Sequence, residues 1–332
     1  MFCLTNVFDN IMEDFCKAQY KMSNILSRRF ELTGKMVVLV SAYKTQGLAE
    51  VCFSLPDINL DILKSLPKWK GMEEKVYDIL DANEERKFLS FKQLGGSNRK
   101  IYFLVMQDVL EAVDGLSDEA LLHKIKEILL KWNTFFQFEK EYVLSENAQQ
   151  GLYGELYVLK KLINLYGQHA VNCWTGCNAE AHDFYLGKDA VEIKASSAKG
   201  PDKVRISSEN QLDDTGISGK LQLVYLKVKK SEVDGETLSD IVQEIYNLIG
   251  ESMKEIFQDK LLKAGYLYQM PELYNIHFKI KEESCYTVEE GFPRITPKTM
   301  CKGIGTVEYT VSLDACDRFL ITIEEFYRGV NI

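Results

Sequence analysis

The stretch "HDFYLGKDAVEIKAS", residues 182–196, decides the fold of the second half of the chain. Two runs rich in aromatic and β-branched residues flank the pair Gly187 and Lys188. Glycine at the first central position of a two-residue loop is typical of a type II′ hairpin turn. Counting back along both strands from this turn places Asp183 directly opposite Glu192, with Cβ atoms about 5 Å apart.

The two faces of the predicted hairpin differ in chemistry. Because side chains alternate along a strand, Glu192 and Lys194 lie on one face, and Val191 and Ile193 lie on the other. Like charges directly opposite each other destabilise a sheet and favour protonation of one carboxyl group. A divalent cation between Asp183 and Glu192 would remove that cost.

A third carboxylate comes from the preceding segment, "SENAQQGLYGELYVLKKLINLYG" (145–167), which we predict to be an amphipathic helix. Glu155 falls inside its apolar face, and an acidic side chain directed at a core needs a partner. That partner is either the predicted site or, in the alternative interpretation, a helix end or a neighbouring lysine. Gly151 and Gly154 would let the helix approach a sheet closely.

Three carboxylates and an amine on one face suit metal-assisted phosphodiester hydrolysis. Mg²⁺ prefers hard oxygen ligands and keeps several waters, so one or two carboxylates of the protein are enough, and Mn²⁺ can substitute. The ion polarises the phosphoryl group and lowers the pKa of a bound water. Lys194 would orient or deprotonate the attacking water, or neutralise charge that develops on the phosphate.

The order of these motifs resembles the PD-(D/E)XK nuclease superfamily, in which a helix with an acidic residue precedes a hairpin with an Asp and then a Glu-x-Lys. The motifs "GLYGELYVLKKL", "WTG", "HDFYL", "VEIKAS", "SSENQL" and "GFPRI" together resemble a bacterial branch of it that is associated with restriction-like phage defence. The resemblance covers residues 145–320 and leaves the first 140 residues unassigned. His182 replaces the proline of the superfamily name.

The resemblance implies a role for each matched residue. Asp183 and Glu192 would ligate the metal, and the backbone carbonyl of Ile193 would be a further ligand. Glu155 would support a second ion or its water. Gln211, in "VRISSENQL", would be an auxiliary residue of the catalytic site.

The chain as a whole is predicted to be α/β. We expect an N-terminal α+β domain over 1–140 and, over 141–332, a restriction-endonuclease-like core, a mixed central sheet flanked by helices, with a C-terminal strand extension. Residues 100–113 are predicted to be a strand running into a helix, 203–208 a strand of the hairpin's domain, and 237–263 one helix.

Composition limits the other functions. A net charge of −9 argues against a protein that binds nucleic acid with its whole surface, although a local basic groove is compatible with it. No apolar run approaches the roughly 20 residues of a membrane-spanning helix, and the first residues lack a secretory signal. We therefore expect a cytoplasmic protein, with its eight cysteines as free thiols.

The site residues and the resemblance together predict a Mg²⁺-dependent endonuclease that acts on DNA in a bacterial restriction or phage-defence system. Other subunits of that system are candidate partners, and an oligomer is compatible with the sequence. The alternative from another class is a non-catalytic subunit that keeps the nuclease fold to bind DNA or a partner protein. RNA or a nucleotide is a third substrate class, because the site does not itself read the sugar.

Several weaker candidates have two interpretations. Lys199, Lys203 and Arg205 would grip the DNA backbone or would only line a solvated strand edge. Trp174 would stack on a base or be buried in the core. Arg294 would reach a phosphate or anchor a loop.

Two alternative interpretations assign these or nearby residues a role other than a nuclease site. Glu192 and Lys194 could form only a surface ion pair, which contributes little to stability. A zinc site could be drawn from two cysteines and two histidines, but the spacing does not fit a zinc finger, and buried thiols account for them better. These four residues are His169, Cys173, Cys177 and His182.

Overall fold

The structure is a computed structural model that describes residues 2–33, 36–55, 64–69, 71–81, 84–138, 144–178 and 180–330. The chain divides into two compact units, Met1–Phe138 and Glu139–Ile332. The predicted boundary near residue 140 lies outside the described residues.

The N-terminal unit combines helices with an antiparallel sheet. Within its described residues five strands pair in the order β1-β2-β3-β5-β4. The strands are β1 (Ile25–Glu31), β2 (Val37–Tyr43), β3 (Leu48–Leu55), β4 (Met72–Asp81) and β5 (Glu84–Gln93), and the helices are α1 (Leu4–Asp14), α2 (Arg99–Val113) and α3 (Asp118–Phe138).

Helix α2 corrects the prediction of a strand over the first part of 100–113. Asn98 caps the helix, because its side chain accepts hydrogen bonds from the backbone N–H groups of Lys100 and Ile101. The apolar run that follows, which resembled a strand, is buried over most of the helix surface. A helix that is apolar nearly all round lacks the periodicity that identifies an amphipathic helix.

The second unit alternates strands and helices. Its strands are β6 (Phe184–Leu186), β7 (Asp189–Ser196), β8 (Lys203–Ile206), β9 (Leu221–Ser231), β10 (Glu236–Thr237), β11 (His277–Val288), β12 (Tyr309–Ser312) and β13 (Leu320–Ile321). Its helices are α4 (Glu146–Tyr166), α5 (Ala170–Cys173), α6 (Leu238–Leu248), α7 (Glu251–Lys263) and α8 (Ile323–Gly329).

Six of the described strands of this unit form a mixed sheet in the order β10-β11-β9-β7-β6, with β13 beside β11. Strands β7 and β9 are parallel, and the other pairs are antiparallel. With helices packed on it, this sheet confirms the predicted α/β class with a mixed central sheet. Strand β7, between β6 and β9, carries Glu192 and Lys194 of the predicted site.

The hairpin has the predicted register. Leu186 pairs with Asp189, and Phe184 pairs with Val191. Gly187 has a φ of 64°, as the first central residue of a type II′ turn requires. The turn therefore sets the register on which the site depends.

Helix α4 covers the face of the sheet opposite the charged residues. An added Cβ atom on Gly154 would lie 3.0 Å from the Ala195 Cβ, so the helix and strand β7 approach closely at this glycine. At Gly151 no atom lies within 4 Å of such a Cβ, so the prediction that Gly151 also permits a close approach was wrong. The hydrophobic core between helix α4 and the sheet includes Leu156 and Leu159.

Two further elements differ from prediction. Strand β8 is not part of the main sheet and pairs with β12 in a separate two-stranded sheet. The helix predicted over 237–263 is divided into α6 and α7, with Gly250 as the N-cap of α7. Among the helices in the described ranges, none has both the length and the apolar character that a membrane crossing requires.

Candidate active site

The hairpin brings Asp183 and Glu192 together. Extending the hairpin register by one residue beyond Phe184 sets Asp183 opposite Glu192. The backbone N–H of Ile193 donates to Asp183 Oδ2 over 2.7 Å. This bond fixes one oxygen of the carboxylate against strand β7 and places the Ile193 backbone beside it.

Glu192 and Lys194 form an ion pair, with 2.8 Å between Oε1 and Nζ. The pair is not a surface pair, since the Glu192 side chain is only 2 % exposed and that of Lys194 16 %. Lys194 Nζ also donates to Gln211 Oε1 over 2.9 Å, and the same oxygen accepts the Ser207 backbone N–H. The structure therefore brings Gln211 to the predicted lysine, although it lies in a turn after strand β8 and not in a strand.

Glu155 approaches the hairpin from helix α4. Its Oε2 accepts a hydrogen bond of 2.7 Å from the indole Nε1 of Trp174, which is fully buried. A Cβ atom on Gly176 would lie 2.7 Å from Glu155 Oε2 and 2.8 Å from Asp183 Oδ1. These two carboxylates thus face the same small space, and Glu155 bonds an indole where the alternative interpretation expected a lysine or a helix end.

Burial makes ionisation of the three carboxyl groups of the site less favourable. Burial raises the pKa of Asp183 to about 6, against the opposing effects of the Ile193 N–H and Lys194. Burial and the neighbouring Asp183 carboxylate raise the pKa values of Glu155 and Glu192 well above their usual range. Grouped carboxyl groups with raised pKa values are typical of catalytic and cation-binding sites.

The donor chemistry of the site fits a hard divalent cation. Glu155 and Asp183 present carboxylate oxygens to one space that a side chain at Gly176 would fill, and Mg²⁺ needs only one or two such ligands beside water and substrate. The fit is incomplete on the protein side. Within the described ranges no three His, Cys, Asp or Glu side chains are arranged as a full ligand cluster, and the Glu192 carboxylate bonds Lys194.

Sequence reasoning missed the contribution of Trp174 and Gly176. Trp174 was predicted to be buried or to stack on a base; it is buried, and it also holds Glu155. The motif "WTG" (174–176), shortly before the hairpin, is the sequence feature that could have indicated these contacts. It places tryptophan, whose indole N–H is a hydrogen-bond donor, two residues before glycine, which has no side chain.

The weaker basic candidates are not all at the site. Lys199, Lys203 and Arg205 are exposed, and Arg205 pairs with Glu308, which directly precedes the neighbouring strand β12. Lys203 and Arg205 share one face of β8, because buried residues alternate with them.

Arg294 is a loop anchor. Its guanidinium donates to the Leu212 carbonyl over 2.7 Å and to Asp214 Oδ2 over 3.0 Å. The side chain is only 16 % exposed. Arg294 thereby holds the turn that carries Gln211.

The zinc interpretation finds no support, because within the described ranges His169, Cys173, Cys177 and His182 are not arranged as a metal-binding cluster. His182 is buried, and its Nδ1 lies 3.3 Å from the Tyr185 hydroxyl. All eight cysteines fall in the described ranges and are free thiols, as predicted.

Comparison with known proteins assigns the family. Residues 28–314 match the model of the family DUF4420, described as "Putative PD-(D/E)XK family member". The match begins in strand β1, so it extends into the N-terminal unit, beyond the region 145–320 in which the resemblance was seen. No curated protein and no solved structure matched the chain. Because the match spans most of its length, the chain belongs to this PD-(D/E)XK family.

Proposed function

We propose that the protein is a Mg²⁺-dependent, endonuclease-like hydrolase of DNA phosphodiesters that works in a bacterial restriction or phage-defence system. The observation that carries the proposal is the convergence of Asp183, Glu192 and Lys194 on one hairpin, with Glu155 beside them, in a chain of the PD-(D/E)XK family. Membership of that family indicates a nuclease-like protein; the metal, the substrate and the defence role belong to the proposal.

Asp183, Glu155 and Glu192 would hold the cation, with the Ile193 carbonyl as a further ligand. When bound, Mg²⁺ would supply Lewis-acid polarisation of the phosphate and a water of lowered pKa. Asp183 is oriented for this role by the Ile193 N–H, which leaves Oδ1 facing the space at Gly176.

Lys194 has a separate task. Its ammonium lies between Glu192 Oε1 and Gln211 Oε1, so two acceptors fix its position before substrate arrives. A fixed ammonium in a poorly hydrated site stabilises charge that develops on a phosphate, because the surrounding groups need not reorganise. Lys194 would also orient the attacking water, and Gln211 would keep the amine in place.

Lys199, Lys203 and Arg205 would contact the DNA backbone. Lys203 and Arg205 project from the same exposed face of β8, and Arg205 is held only by an exposed pair with Glu308, which costs little to break. Phosphate contacts of this kind position the duplex without reading its sequence. Replacing Lys203 and Arg205 by Ala should lower the slope of log affinity against log salt by about 1 for each lost contact.

The proposal is tested by cleavage of plasmid DNA, a DNA duplex, single-stranded DNA and RNA with Mg²⁺ or Mn²⁺. Wild type is compared with Asp183→Ala and Lys194→Ala, and Lys188→Ala in the exposed turn of the same hairpin is the matched control. We expect the first two variants to lose at least a hundredfold in rate and the control to retain activity. Cleavage by Asp183→Ala or Lys194→Ala at the wild-type rate would show that these roles are wrong.

The second candidate function is a non-catalytic subunit that binds DNA or a partner protein. The ion pair between Glu192 and Lys194 favours this function, because the Glu192 carboxylate, a predicted metal ligand, is bound to the lysine instead. DNA binding that is unchanged by a chelator, without cleavage under any metal, would support this function. A nuclease subunit of a multi-subunit system can be inactive without its partners. The cleavage assay is therefore repeated in the presence of proteins that copurify with this chain from the host.

A further inference from the structure

The segment Trp174–Gly176 has no role in the predicted site, yet it contacts two of the site's carboxylates. Trp174 lies within the core, and its indole N–H bonds Glu155 Oε2. An indole has one donor and no acceptor, and burial leaves its ring few orientations. The bond therefore fixes both the position of the Glu155 carboxylate and the oxygen that faces the indole.

The same segment holds the backbone of Asp183. The N–H groups of Thr175 and Gly176 both donate to the Asp183 carbonyl, over 2.7 and 3.0 Å. The Thr175 hydroxyl donates to the His182 carbonyl over 3.0 Å. Three consecutive residues thus bind Glu155 through a side chain and Asp183 through the main chain.

Helix α7 braces this segment from the other side. Lys260 Nζ donates to the carbonyl of Trp174 and, over 3.3 Å, to that of Asn172. The Trp174 ring also lies near the ring of Phe257 on the same helix, with centroids 6.2 Å apart. The segment is therefore fixed by the core and not by the carboxylates alone.

Glycine is needed at position 176 because a larger side chain would clash with the carboxylates of the site, and not because of its backbone conformation. Its φ does not lie in the left-handed region, so alanine can adopt the same conformation. An added Cβ would nevertheless lie within 3 Å of an oxygen of both Glu155 and Asp183. Both neighbours are ends of side chains that can turn aside, so the cost falls on the carboxylate arrangement and not on the fold.

We propose that Trp174–Gly176 is the positioning segment of a divalent cation site: Trp174 orients Glu155, the two backbone amides hold Asp183, and the absence of a side chain at Gly176 leaves room for the carboxylate oxygens that would hold the cation. This inference rests on the proposed function, because it assigns the cation to that site. It makes the loop before the hairpin a third wall of the site, beside helix α4 and strand β7.

The test measures Mn²⁺ binding by calorimetry, with and without a DNA duplex, for wild type, Gly176→Ala and Trp174→Phe. Gly151→Ala is the matched control, since it adds the same methyl group in open space on the helix that carries Glu155. We expect at least tenfold weaker binding in the first two variants, as when a partner of a metal ligand is removed. The control should bind like wild type, and Gly176→Ala should remain folded with one cooperative unfolding transition.

A second readout separates positioning from general stability. Mn²⁺ bound beside Trp174 should quench its fluorescence, and Gly176→Ala should lose that quenching while keeping the metal-free spectrum. In a Glu155→Gln background, Trp174→Phe should weaken binding by less than twofold, because the two residues act through one bond. Wild-type affinity in Gly176→Ala would overturn this inference alone, whereas a wild type that binds no Mn²⁺ under either condition would overturn the proposed function with it.

Discussion

Lys194 Nζ lies 2.8 Å from Glu192 Oε1 on the same face of strand β7. The carboxylate has almost no contact with solvent, so its charge depends on this ammonium. Burial, together with Asp183, opposes the ionisation of Glu192, while Lys194 favours it. Lys194 thus stabilises the ionised form of the buried Glu192.

We expect Lys194→Met to destabilise the metal-free protein by about 3 kcal/mol at pH 7.5, because it leaves a buried carboxylate without its counterion. Urea unfolding measures this change in the free energy of unfolding. Glu192→Gln in combination with Lys194→Met should recover most of the loss, since the double variant has no buried charge at either position. Equal losses in the single and double variants would show that the lysine stabilises the strand by packing and not by charge.

The second prediction concerns Asp183, whose pKa of about 6 exceeds the ordinary value of 3.8. The folded protein therefore binds this proton more tightly than the unfolded chain. The resulting stability is fully present below about pH 4 and is lost as the pH rises through about 6. We expect Asp183→Asn to raise the free energy of unfolding of the metal-free protein at pH 7.5 by about 1–3 kcal/mol and to have little effect at pH 4.

Asp189→Asn, on the same hairpin, is the control for this measurement and should change stability little at either pH. Adding Mg²⁺ should stabilise wild type more than Asp183→Asn, since the variant lacks one of the proposed carboxylate ligands. A loss of stability in Asp183→Asn without metal would contradict the expectation. It would mean that the bond from Ile193 outweighs the cost of the buried charge.

The hairpin could be predicted from the sequence because its register depends on local features. A glycine turn and a two-residue alternation fix which residues are opposite, and a shift by one residue would bury Glu192 and Lys194 against helix α4. Asp183 could be placed because it directly precedes Phe184, the last paired residue, so extending the register by one residue sets it opposite Glu192. The inward position of Glu155 followed from the helical period in the same way.

The remaining contacts of the site depend on packing between distant segments. The hydrogen bond between Trp174 and Glu155 requires the segment after α5 to pack against helix α4. The spacing of apolar residues in these two segments does not predict that contact. Arg294 lies 83 positions beyond Gln211 in the numbering and reaches its turn only in the folded chain. Sequence patterns show which face of an element is buried, but they do not show which distant side chain meets it.

The third prediction tests whether Arg294 holds the Gln211 turn. Arg294→Met removes both of its hydrogen bonds, to the Leu212 carbonyl and to Asp214. Bonds from a charged donor contribute about 1.5–3 kcal/mol, so hydrogen exchange of the amides over 207–214 should accelerate about tenfold or more. The Ser207 amide, which bonds Gln211 Oε1, reports on the site directly.

Arg205→Met is the control for this exchange experiment, because it removes an exposed ion pair on the adjacent strand. It should leave exchange over 207–214 close to wild type. Unchanged protection in Arg294→Met would show that the turn is held by its own hydrogen bonds. Arg294 would then have no part in positioning Lys194.

The last prediction compares the two glycines of helix α4. Gly151→Ala adds a methyl group in open space, so it should stabilise the protein by about 1 kcal/mol through helix propensity. Gly154→Ala gains the same propensity but places its methyl group 3.0 Å from Ala195 Cβ and 3.3 Å from Leu226 Cδ1.

Overpacking of this kind costs about 1–3 kcal/mol, so Gly154→Ala should be less stable than Gly151→Ala by about that amount in urea unfolding. Helix α4 would have to move away from strand β7 to accept the methyl group, and Glu155, the next residue, would move with it. Mn²⁺ affinity should therefore fall in Gly154→Ala and stay unchanged in Gly151→Ala. Equal stability and equal affinity in the two variants would show that the close contact between helix and strand does not position Glu155.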